Sequence, residues 1–206
     1  MAALPESYLS PEVYLERERQ AEEKSEFIAG EIIAMAGASR AHTLISTNLV
    51  RELSTTLRGR PCETYASEMR VMVSETGAYV YPDIVVVCGE PLWGDVRFDT
   101  LLNPTFVLEI LSPSTESYDL GLKLAHYRQL ESMQEFVAAA QDRVYVQHWM
   151  RRPKGLWLVE DIADIDATIH LESIGCDLAL ADVYDRVDLA AHGGTDGRSG
   201  TTQDAG

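Results

Sequence analysis

The sequence predicts an α/β (α+β) domain in which a mixed β-sheet is flanked by helices. Three observations support this fold class. Short apolar segments of strand-like composition recur along the chain, a few longer segments carry helix signals, and turn residues separate the two kinds. Hydrophobic residues make up 46% of the 206 residues and charged residues 24%, as in an ordinary globular protein that buries a core. Mixed strands with two or three packing helices indicate a sheet covered by helices.

Four helices are predicted from capping residues and spacing. Ser10 suits an N-cap and Pro11 the first helical position, so the first helix is expected to run from there to about residue 22. The second is expected over 40–57, where apolar side chains recur at steps of four. A third, capped by Ser114 or Thr115, is expected to extend to about residue 133, and a short helix is expected over 180–184.

Strands are predicted where short apolar or alternating segments end at turn residues, as at Ala29-Gly30, a hairpin signal. In chain order, the predicted strands cover 24–28, 31–35, 62–66, 68–73, 79–88, 106–111, 135–140, 143–150, 156–160 and 167–171.

The charge balance restricts the class of function. Seventeen Lys and Arg residues stand against 33 Asp and Glu residues, giving a net charge of −16 and a pI near 4.6. This excludes a basic protein that coats nucleic acid without specificity, because such proteins need Lys and Arg to displace counterions from phosphates. A local positive site remains possible. We expect one domain over 1–190 and a disordered tail over 191–206, which lacks large apolar residues.

Cysteine usage and targeting signals point to a cytoplasmic protein. Cys62, Cys88 and Cys176 are dispersed and odd in number, which predicts neither a disulfide framework nor a zinc knuckle. Cys88 ends an apolar run and is expected to be a small buried hydrophobe. The N-terminal residues do not resemble a secretory signal, and no stretch approaches the roughly 18 apolar residues of a membrane span.

Two carboxylates interrupt segments that otherwise resemble buried strands. Asp83 lies within the apolar segment 79–88, and Glu109 lies within 106–111. Each alone could stand solvated at a strand end or pair with an arginine, and Pro82 favours an edge or bulge at Asp83. Both together, on strands consecutive in the chain, predict a divalent-metal site, because buried carboxylates need a partner. Oxygen ligands suit Mg²⁺ or Mn²⁺.

Asp119, Lys123 and Tyr127 follow Glu109 at spacings that place them on one broad face of the predicted third helix. A helix returning over the sheet can bring Lys123 level with the end of the Glu109 strand. The alternative is an ordinary Asp119–Lys123 pair on a solvated face.

Several segments together match one known pattern. They are Pro82-Asp83, Glu109-Ile-Leu-Ser-Pro-Ser-Thr, Tyr118-Asp119 with Lys123 and Tyr127, Phe27-Ile-Ala-Gly-Glu31-Ile, Met35-Ala-Gly-Ala-Ser-Arg-Ala-His42, Ser173-Ile-Gly-Cys-Asp-Leu-Ala-Leu and Val183-Tyr-Asp. This pattern, spanning about residues 10–187, resembles the Uma-two-type endonuclease family, a branch of the PD-(D/E)XK nuclease superfamily.

The resemblance implies a restriction endonuclease-like fold with Asp83 and Glu109 as metal ligands. In the superfamily pattern a lysine follows the acidic residue by two positions, but here that position is Leu111. Matching family members place the lysine on the following helix, which implies that Lys123 takes this role.

Two further residues are supporting candidates. His42, near the start of the second helix, could face the site or simply bond the neighbouring backbone. Glu31 could be a further acidic ligand or, as we favour, an exposed strand residue. A basic cluster at 151–154, flanked by Trp149 and Trp157, could contact a phosphate backbone or form a solvated hairpin turn.

The resulting hypothesis is a Mg²⁺-dependent nuclease that hydrolyses DNA, with Lys123 assisting the attacking water or stabilising the phosphate. The alternative is a catalytically silent nuclease-like domain that serves as a binding or assembly module. The net charge predicts weak, salt-sensitive DNA binding. Exposed sheet edges and the apolar region 135–150 could support a homodimer.

Overall fold

A computed structural model describes residues 9–35 and 37–189. Their strands are β1 (Ser25–Ile28), β2 (Glu31–Ala34), β3 (Cys62–Ala66), β4 (Arg70–Val73), β5 (Ala78–Val80), β6 (Ile84–Cys88), β7 (Thr100–Leu101), β8 (Phe106–Leu111), β9 (Glu135–Ala140), β10 (Val146–Arg152), β11 (Leu156–Ile162), β12 (Thr168–Leu171) and β13 (Cys176–Ala179). Their α-helices are α1 (Pro11–Glu18), α2 (Arg40–Thr56), α3 (Glu116–Tyr118), α4 (Leu124–Tyr127) and α5 (Leu180–Val183). A π-helical segment (Asp119–Lys123) joins α3 to α4, and we call this continuous run the 116–127 helix.

Six strands form the central sheet in the order β11-β10-β9-β8-β6-β3. In it β8 and β9 are parallel, and the other neighbours are antiparallel. A second sheet has the order β2-β1-β5-β4-β7, and β12 pairs with β13. Helix α2, the β12–β13 hairpin and α5 pack on one face of the central sheet, and the second sheet and the 116–127 helix pack on the other. The predicted mixed sheet flanked by helices is therefore confirmed.

Alternation along β8 determines where Glu109 points. Leu108 and Ile110 belong to the core cluster that contains α2, whereas Val107 and Leu111 belong to the cluster on the opposite face. Successive side chains of a strand point to opposite faces. Glu109 therefore shares the face of Val107 and Leu111, which the 116–127 helix covers.

The predicted strand 79–88 is wrong as a single element. Its first part is β5 in the second sheet, and its last part is β6 in the central sheet. Pro82 lies in the break between the two strands, where its missing N–H donor costs no ladder hydrogen bond. Asp83 therefore lies where the chain crosses from one sheet to the other.

The predicted third helix also differs from the structure. It is interrupted by the π-helical segment and ends at Tyr127 rather than near residue 133. The guanidinium group of Arg151 donates hydrogen bonds to three backbone carbonyls of the segment that follows Tyr127. These are the carbonyls of Arg128, Leu130 and Met133. The side chain of Arg151, on β10, thus binds the segment in which the longer helix was predicted.

The N-terminal elements mostly follow the prediction. The Ser10 hydroxyl accepts from the Val13 amide as an N-cap, and α2 occupies almost the predicted range. Helix α1 ends at Glu18 rather than near residue 22. The Glu18 carboxylate accepts hydrogen bonds from the amide and hydroxyl of Ser25, which turns the chain into β1. Strands β7 and β13 were not predicted.

Cys62 and Cys88 form a disulfide between β3 and β6, where the two residues are direct cross-strand partners. The expectation of no disulfide is wrong, because residues 26 apart in sequence become neighbours only when the strands pair. Cys176 is free and buried.

The disulfide is expected to stabilise the fold by about 3 kcal/mol, the chain-entropy value for a loop of this length. Reduction with dithiothreitol should lower the urea midpoint of the wild type. The double variant Cys62→Ser/Cys88→Ser should show the lower midpoint with or without the reductant. An equal response of both proteins to the reductant would contradict this assignment.

A buried carboxylate fastens the β12–β13 hairpin to the central sheet. Glu135 accepts hydrogen bonds from the amides of Glu172 and Ser173, from the Ser173 hydroxyl and from the His148 ring. Burial alone would raise the pKa of Glu135, but the hydrogen bonds from His148 and Ser173 lower it below its ordinary value. The group is therefore ionised near neutral pH and holds the turn in place.

Three sequence expectations concern surfaces and ends. The region 135–150 is not an open dimer surface, because β9 lies between β8 and β10 and is buried throughout. The exposed edge is β11, where Leu156 is 65% exposed. Among the helices of the described residues, none has both the length and the apolar character to cross a membrane. The predicted disordered tail, 191–206, lies outside the described residues.

Candidate active site

Asp83 and Glu109 lie opposite one another on neighbouring strands. Ile84 of β6 pairs with Leu108 of β8, so the preceding residue, Asp83, stands beside Glu109. One Asp83 carboxylate oxygen accepts a hydrogen bond from the Ile110 amide at 2.7 Å. The other lies 3.1 Å from Nε2 of His42, in the first turn of α2. The two carboxylates predicted from the sequence therefore meet at the end of the β6–β8 pair.

Lys123 lies behind these carboxylates, and its ammonium group is surrounded by oxygen atoms. Its ammonium nitrogen is 2.9 Å from Glu109 Oε1, 2.9 Å from Glu26 Oε1 and 3.0 Å from the Tyr81 carbonyl oxygen. Asp119 is farther away, at 3.9 Å. The contact with the Tyr81 carbonyl is a hydrogen bond, and the contacts with Glu109 and Glu26 are ion pairs.

The π-helical segment carries Asp119 and Lys123 into this interior. The Leu124 amide bonds the Asp119 carbonyl five residues earlier, which widens the turn. Such π-bulges occur frequently at functional sites. One turn later, the Tyr127 hydroxyl donates a hydrogen bond to Glu109 at 2.7 Å. The predicted single face for Asp119, Lys123 and Tyr127 is thus realised through an irregular helix.

Glu26 on β1 completes the arrangement and was not singled out from the sequence. Its carboxylate pairs with Lys123 and also accepts hydrogen bonds from the Tyr81 amide at 2.8 Å and the Tyr118 hydroxyl at 2.5 Å. In the sequence, Glu26 precedes Phe27 in a short strand, where alternation suggests a solvent-facing residue. Only the second sheet, packed on the central one, buries it. We call Glu26, Asp83, Glu109 and Asp119 the acidic cluster.

The acidic cluster carries more negative charge than its neighbours neutralise. Its four carboxylates face Lys123 and His42 as basic groups. Burial raises the pKa of Glu109 well above 4.5, although the Lys123 ammonium opposes this rise. Burial likewise raises the pKa of Asp119. The site therefore favours uptake of a proton or of a cation.

The pKa values of the two basic groups are raised as well, here by the neighbouring carboxylates. Burial alone would lower the pKa of Lys123, but Glu109, Glu26 and Asp119 raise it, so Lys123 remains an ammonium ion. Burial would lower the pKa of His42 too, and the hydrogen bond with Asp83 raises it above 6.5. His42 is therefore more readily protonated than an ordinary histidine.

Access to the site is one-sided. The side chains of His42 and Asp83 are 20% and 14% exposed, whereas those of Glu109 and Glu26 are each 3% exposed and that of Lys123 is 5% exposed. A ligand therefore meets Asp83 and His42 first, and the Lys123 ammonium lies behind them.

The donor set fits a hard divalent cation. Asp83 and Glu109 supply carboxylate oxygens from adjacent strands, in a site with excess negative charge. Within the described ranges, no three His, Cys, Asp or Glu side chains are grouped so that they could enclose a metal. Mg²⁺ is commonly held by one or two carboxylates and completes its shell with water and substrate phosphate. A pair of carboxylates therefore fits Mg²⁺ better than a zinc cage.

The structure brings most of the candidates together. Those that converge are Asp83, Glu109, Lys123, His42, Asp119 and Tyr127. Glu31 does not join them: it is exposed on β2, and no ion pair or hydrogen bond among the described residues links it to the acidic cluster.

A family model for "Putative restriction endonuclease" (Uma2) matches residues 11–181, which is most of the chain. The chain belongs to the Uma2 family. The resemblance of the Pro82-Asp83 and Glu109 motifs to this family is thereby confirmed. Two relatives come from Synechocystis sp. (strain PCC 6803). "Uncharacterized protein sll1609" is 37% identical over 76% of this chain and 89% of its own length. "Uncharacterized protein slr1290" is 34% identical over 85% of this chain and 91% of its own length.

The fold of this Uma2 family member is similar to a solved structure. That structure is described as the crystal structure of a "putative nuclease belonging to DUF820" from Anabaena variabilis ATCC 29413. The match has a TM-score of 0.71 and 20% sequence identity, and it covers 85% of this chain and 97% of the other. The mixed sheet with flanking helices is therefore a fold that the two proteins share.

Proposed function

We propose that this Uma2 family member is a nuclease that uses Mg²⁺ or Mn²⁺ to hydrolyse phosphodiester bonds in DNA. The observation that carries the proposal is the convergence of Asp83, Glu109 and Lys123 at the end of one strand pair. The description of the family as a restriction endonuclease family supports the reaction class.

Asp83 and Glu109 would hold the cation, since both carboxylates reach the same end of the sheet. When bound, the cation would stabilise negative charge on the scissile phosphate and make water more acidic. The scissile phosphate would approach from the exposed side, where His42 and Asp83 face solvent. Ile110 fixes the Asp83 carboxylate through its amide, so that group is already oriented.

Lys123 would act through its charge, because its ammonium is buried, hydrogen-bonded to the Tyr81 carbonyl and paired with Glu26 and Glu109. Its ammonium offsets the charge of Glu109 and would attract the phosphate. Glu26 would hold Lys123 in place through their ion pair, and Tyr127 would hold Glu109 through its hydrogen bond. Asp119 would add to the negative potential, and His42 would bind the phosphate or hold a proton beside Asp83.

A silent binding or assembly module is the second candidate. Two observations favour it: Glu109 is almost inaccessible, and Lys123 is buried and already paired with two carboxylates of the fold. In a silent module, the carboxylate and lysine network would only stabilise the fold.

Thermal stabilisation by metal distinguishes these candidates. We expect Mn²⁺ or Mg²⁺ to raise the melting temperature. At a hundredfold excess over Kd, the bound cation adds roughly 2.7 kcal/mol to the free energy of unfolding. The same cations should permit cleavage of labelled DNA, whereas EDTA should abolish both effects. A melting temperature that does not respond to either cation, together with intact DNA, would favour the silent module.

DNA binding by the free protein is expected to be weak, because the net charge is −16, and to fall with salt, because contacts to phosphates release counterions. The edge strand β11 is the surface that a homodimer would use. Its outer edge has no strand partner in the described part of the chain, and its Leu156 and Leu158 side chains are exposed.

A further inference from the structure

A compact group of arginine and tryptophan side chains lies where the 116–127 helix ends against β10 and β11. The Arg128 guanidinium carbon is 5.9 Å from the ring centres of both Trp149 and Trp157. The Arg151 guanidinium carbon is 4.6 Å from the ring centre of Trp157. We call these four residues the Trp–Arg cluster. It borders a cleft of about 370 Å³ lined by Arg128, Arg151 and Trp157, among others.

The acidic neighbour of this cluster is Glu131, whose charge opposes the fall in the pKa of Arg151 that burial and Arg128 cause. Within residues 9–35 and 37–189, no ion pair includes Arg128, Arg151 or the adjacent Lys154, although most other buried or half-buried cations have acidic partners. The Arg151 guanidinium donates hydrogen bonds to backbone carbonyls. Arg128 is exposed, and its guanidinium makes no hydrogen bond to any described residue. Exposed arginines without an ion pair occur elsewhere in the described residues, as at Arg58, but here two arginines stand together against two indole rings.

The geometry of Arg128 suits an anionic ligand. Contact with two indole rings orients the guanidinium and leaves its N–H edge available. Phosphate oxygens match that edge, and indole faces accept nucleic-acid bases by stacking. Arg128 follows Lys123 by five residues, about 8 Å along a helix axis. The same helical run therefore connects the Trp–Arg cluster to the buried Lys123 of the acidic cluster.

We propose that the Trp–Arg cluster, together with Lys154, binds the phosphate backbone of a DNA strand outside the point of cleavage. This rests on the proposed function, because it makes the cluster a second contact for the same substrate. It also accounts for how an acidic protein would retain DNA: the favourable contacts are concentrated on one patch.

The test is DNA binding by Arg128→Ala and Lys154→Ala in an Asp83→Asn background, measured by fluorescence anisotropy with a labelled oligonucleotide. Each substitution should weaken binding by about tenfold, the value of one charge-assisted hydrogen bond. Each should also reduce the salt dependence, the slope of log K against log salt concentration, by about one. Arg58→Ala is the matched control, because Arg58 is equally exposed at the far end of α2.

Affinity and salt slope that are the same in Arg128→Ala, Lys154→Ala and Arg58→Ala would overturn the proposal. The outcomes separate it from the nuclease proposal. With Asp83 intact, metal-dependent cleavage whose KM is the same in Arg128→Ala and wild type would contradict DNA binding by the Trp–Arg cluster and support the nuclease proposal. DNA binding that depends on Arg128, in a protein that does not cleave DNA with any metal, would support binding by the Trp–Arg cluster and contradict the nuclease proposal.

Discussion

Replacing Asp83 with asparagine is expected to reduce Mg²⁺-dependent DNA cleavage by about a thousandfold. Asparagine keeps the shape of the side chain and can still accept the hydrogen bond from the Ile110 amide. It removes the negative charge that would hold the cation, whose electrostatic contribution is several kcal/mol, and each 1.36 kcal/mol is about tenfold in rate. Cleavage rates at saturating DNA, measured over a range of Mg²⁺ concentrations, check this expectation.

Glu31→Gln is the matched control for this experiment. It removes one carboxylate from another segment of the family pattern, but Glu31 is exposed and lies outside the acidic cluster. Its cleavage rate and metal response should equal those of the wild type. Equal activity in Asp83→Asn and wild type would mean that the nuclease activity comes from another site or from a contaminant. The thermal shift with Mn²⁺ should likewise disappear only in Asp83→Asn.

Replacing Lys123 with methionine is expected to lower the free energy of unfolding by about 3–5 kcal/mol at neutral pH. Methionine fills similar space, but it leaves the Glu26 and Glu109 carboxylates buried without their cation. Urea unfolding followed by circular dichroism measures the change. The loss should be larger than for an exposed lysine such as Lys154, whose replacement is expected to change stability by less than about 0.5 kcal/mol.

The destabilisation should depend on pH in a defined direction. The folded pKa of Glu109 is raised above its ordinary value of 4.5. A carboxyl group whose pKa is higher when folded costs stability above its unfolded pKa, and this cost disappears as the pH falls toward that value. Without the Lys123 ammonium, which opposes this rise, the folded pKa of Glu109 should be higher still, so the deficit of Lys123→Met should shrink as the pH falls from neutral toward 4.5.

A double-mutant cycle with Glu26→Gln tests the pairing itself. Removing Glu26 from Lys123→Met eliminates one uncompensated charge, so the double variant should be more stable than the sum of the single effects predicts, by about 1–3 kcal/mol. Additive effects would show that Glu26 and Lys123 do not interact energetically, despite their 2.9 Å separation.

Much of the local structure could be predicted because it depends on neighbouring residues. The N-cap at Ser10, the hairpin at Ala29-Gly30 and the strand at 106–111 follow from capping, turn chemistry and apolar composition. The errors fall where distant groups intervene. Pairing of β5 and β6 with different sheets splits the strand 79–88, and Arg151 of β10 binds carbonyls of the segment that was predicted to continue the 116–127 helix.

The acidic cluster shows the same division. Asp83 and Glu109 could be found from the sequence, because a carboxylate within an apolar strand demands a partner wherever the strand is placed. Glu26 could not, since its burial comes from packing of the second sheet on the central sheet. The disulfide between Cys62 and Cys88 was missed for a similar reason, because only strand pairing brings the two residues together.

The sequence by itself determined the fold class, the principal carboxylates and the helix that supplies Lys123, because periodicity and the chemical cost of burying charge are local properties. The tertiary structure alone decided which groups neutralise one another. Lys123 reaches Glu26, Glu109 and Tyr81 from three separate elements, and Arg128 contacts indole rings on two further strands. Coulombic and hydrogen-bond energies depend on distance in space, and distance between remote residues is fixed only when the sheets and helices pack.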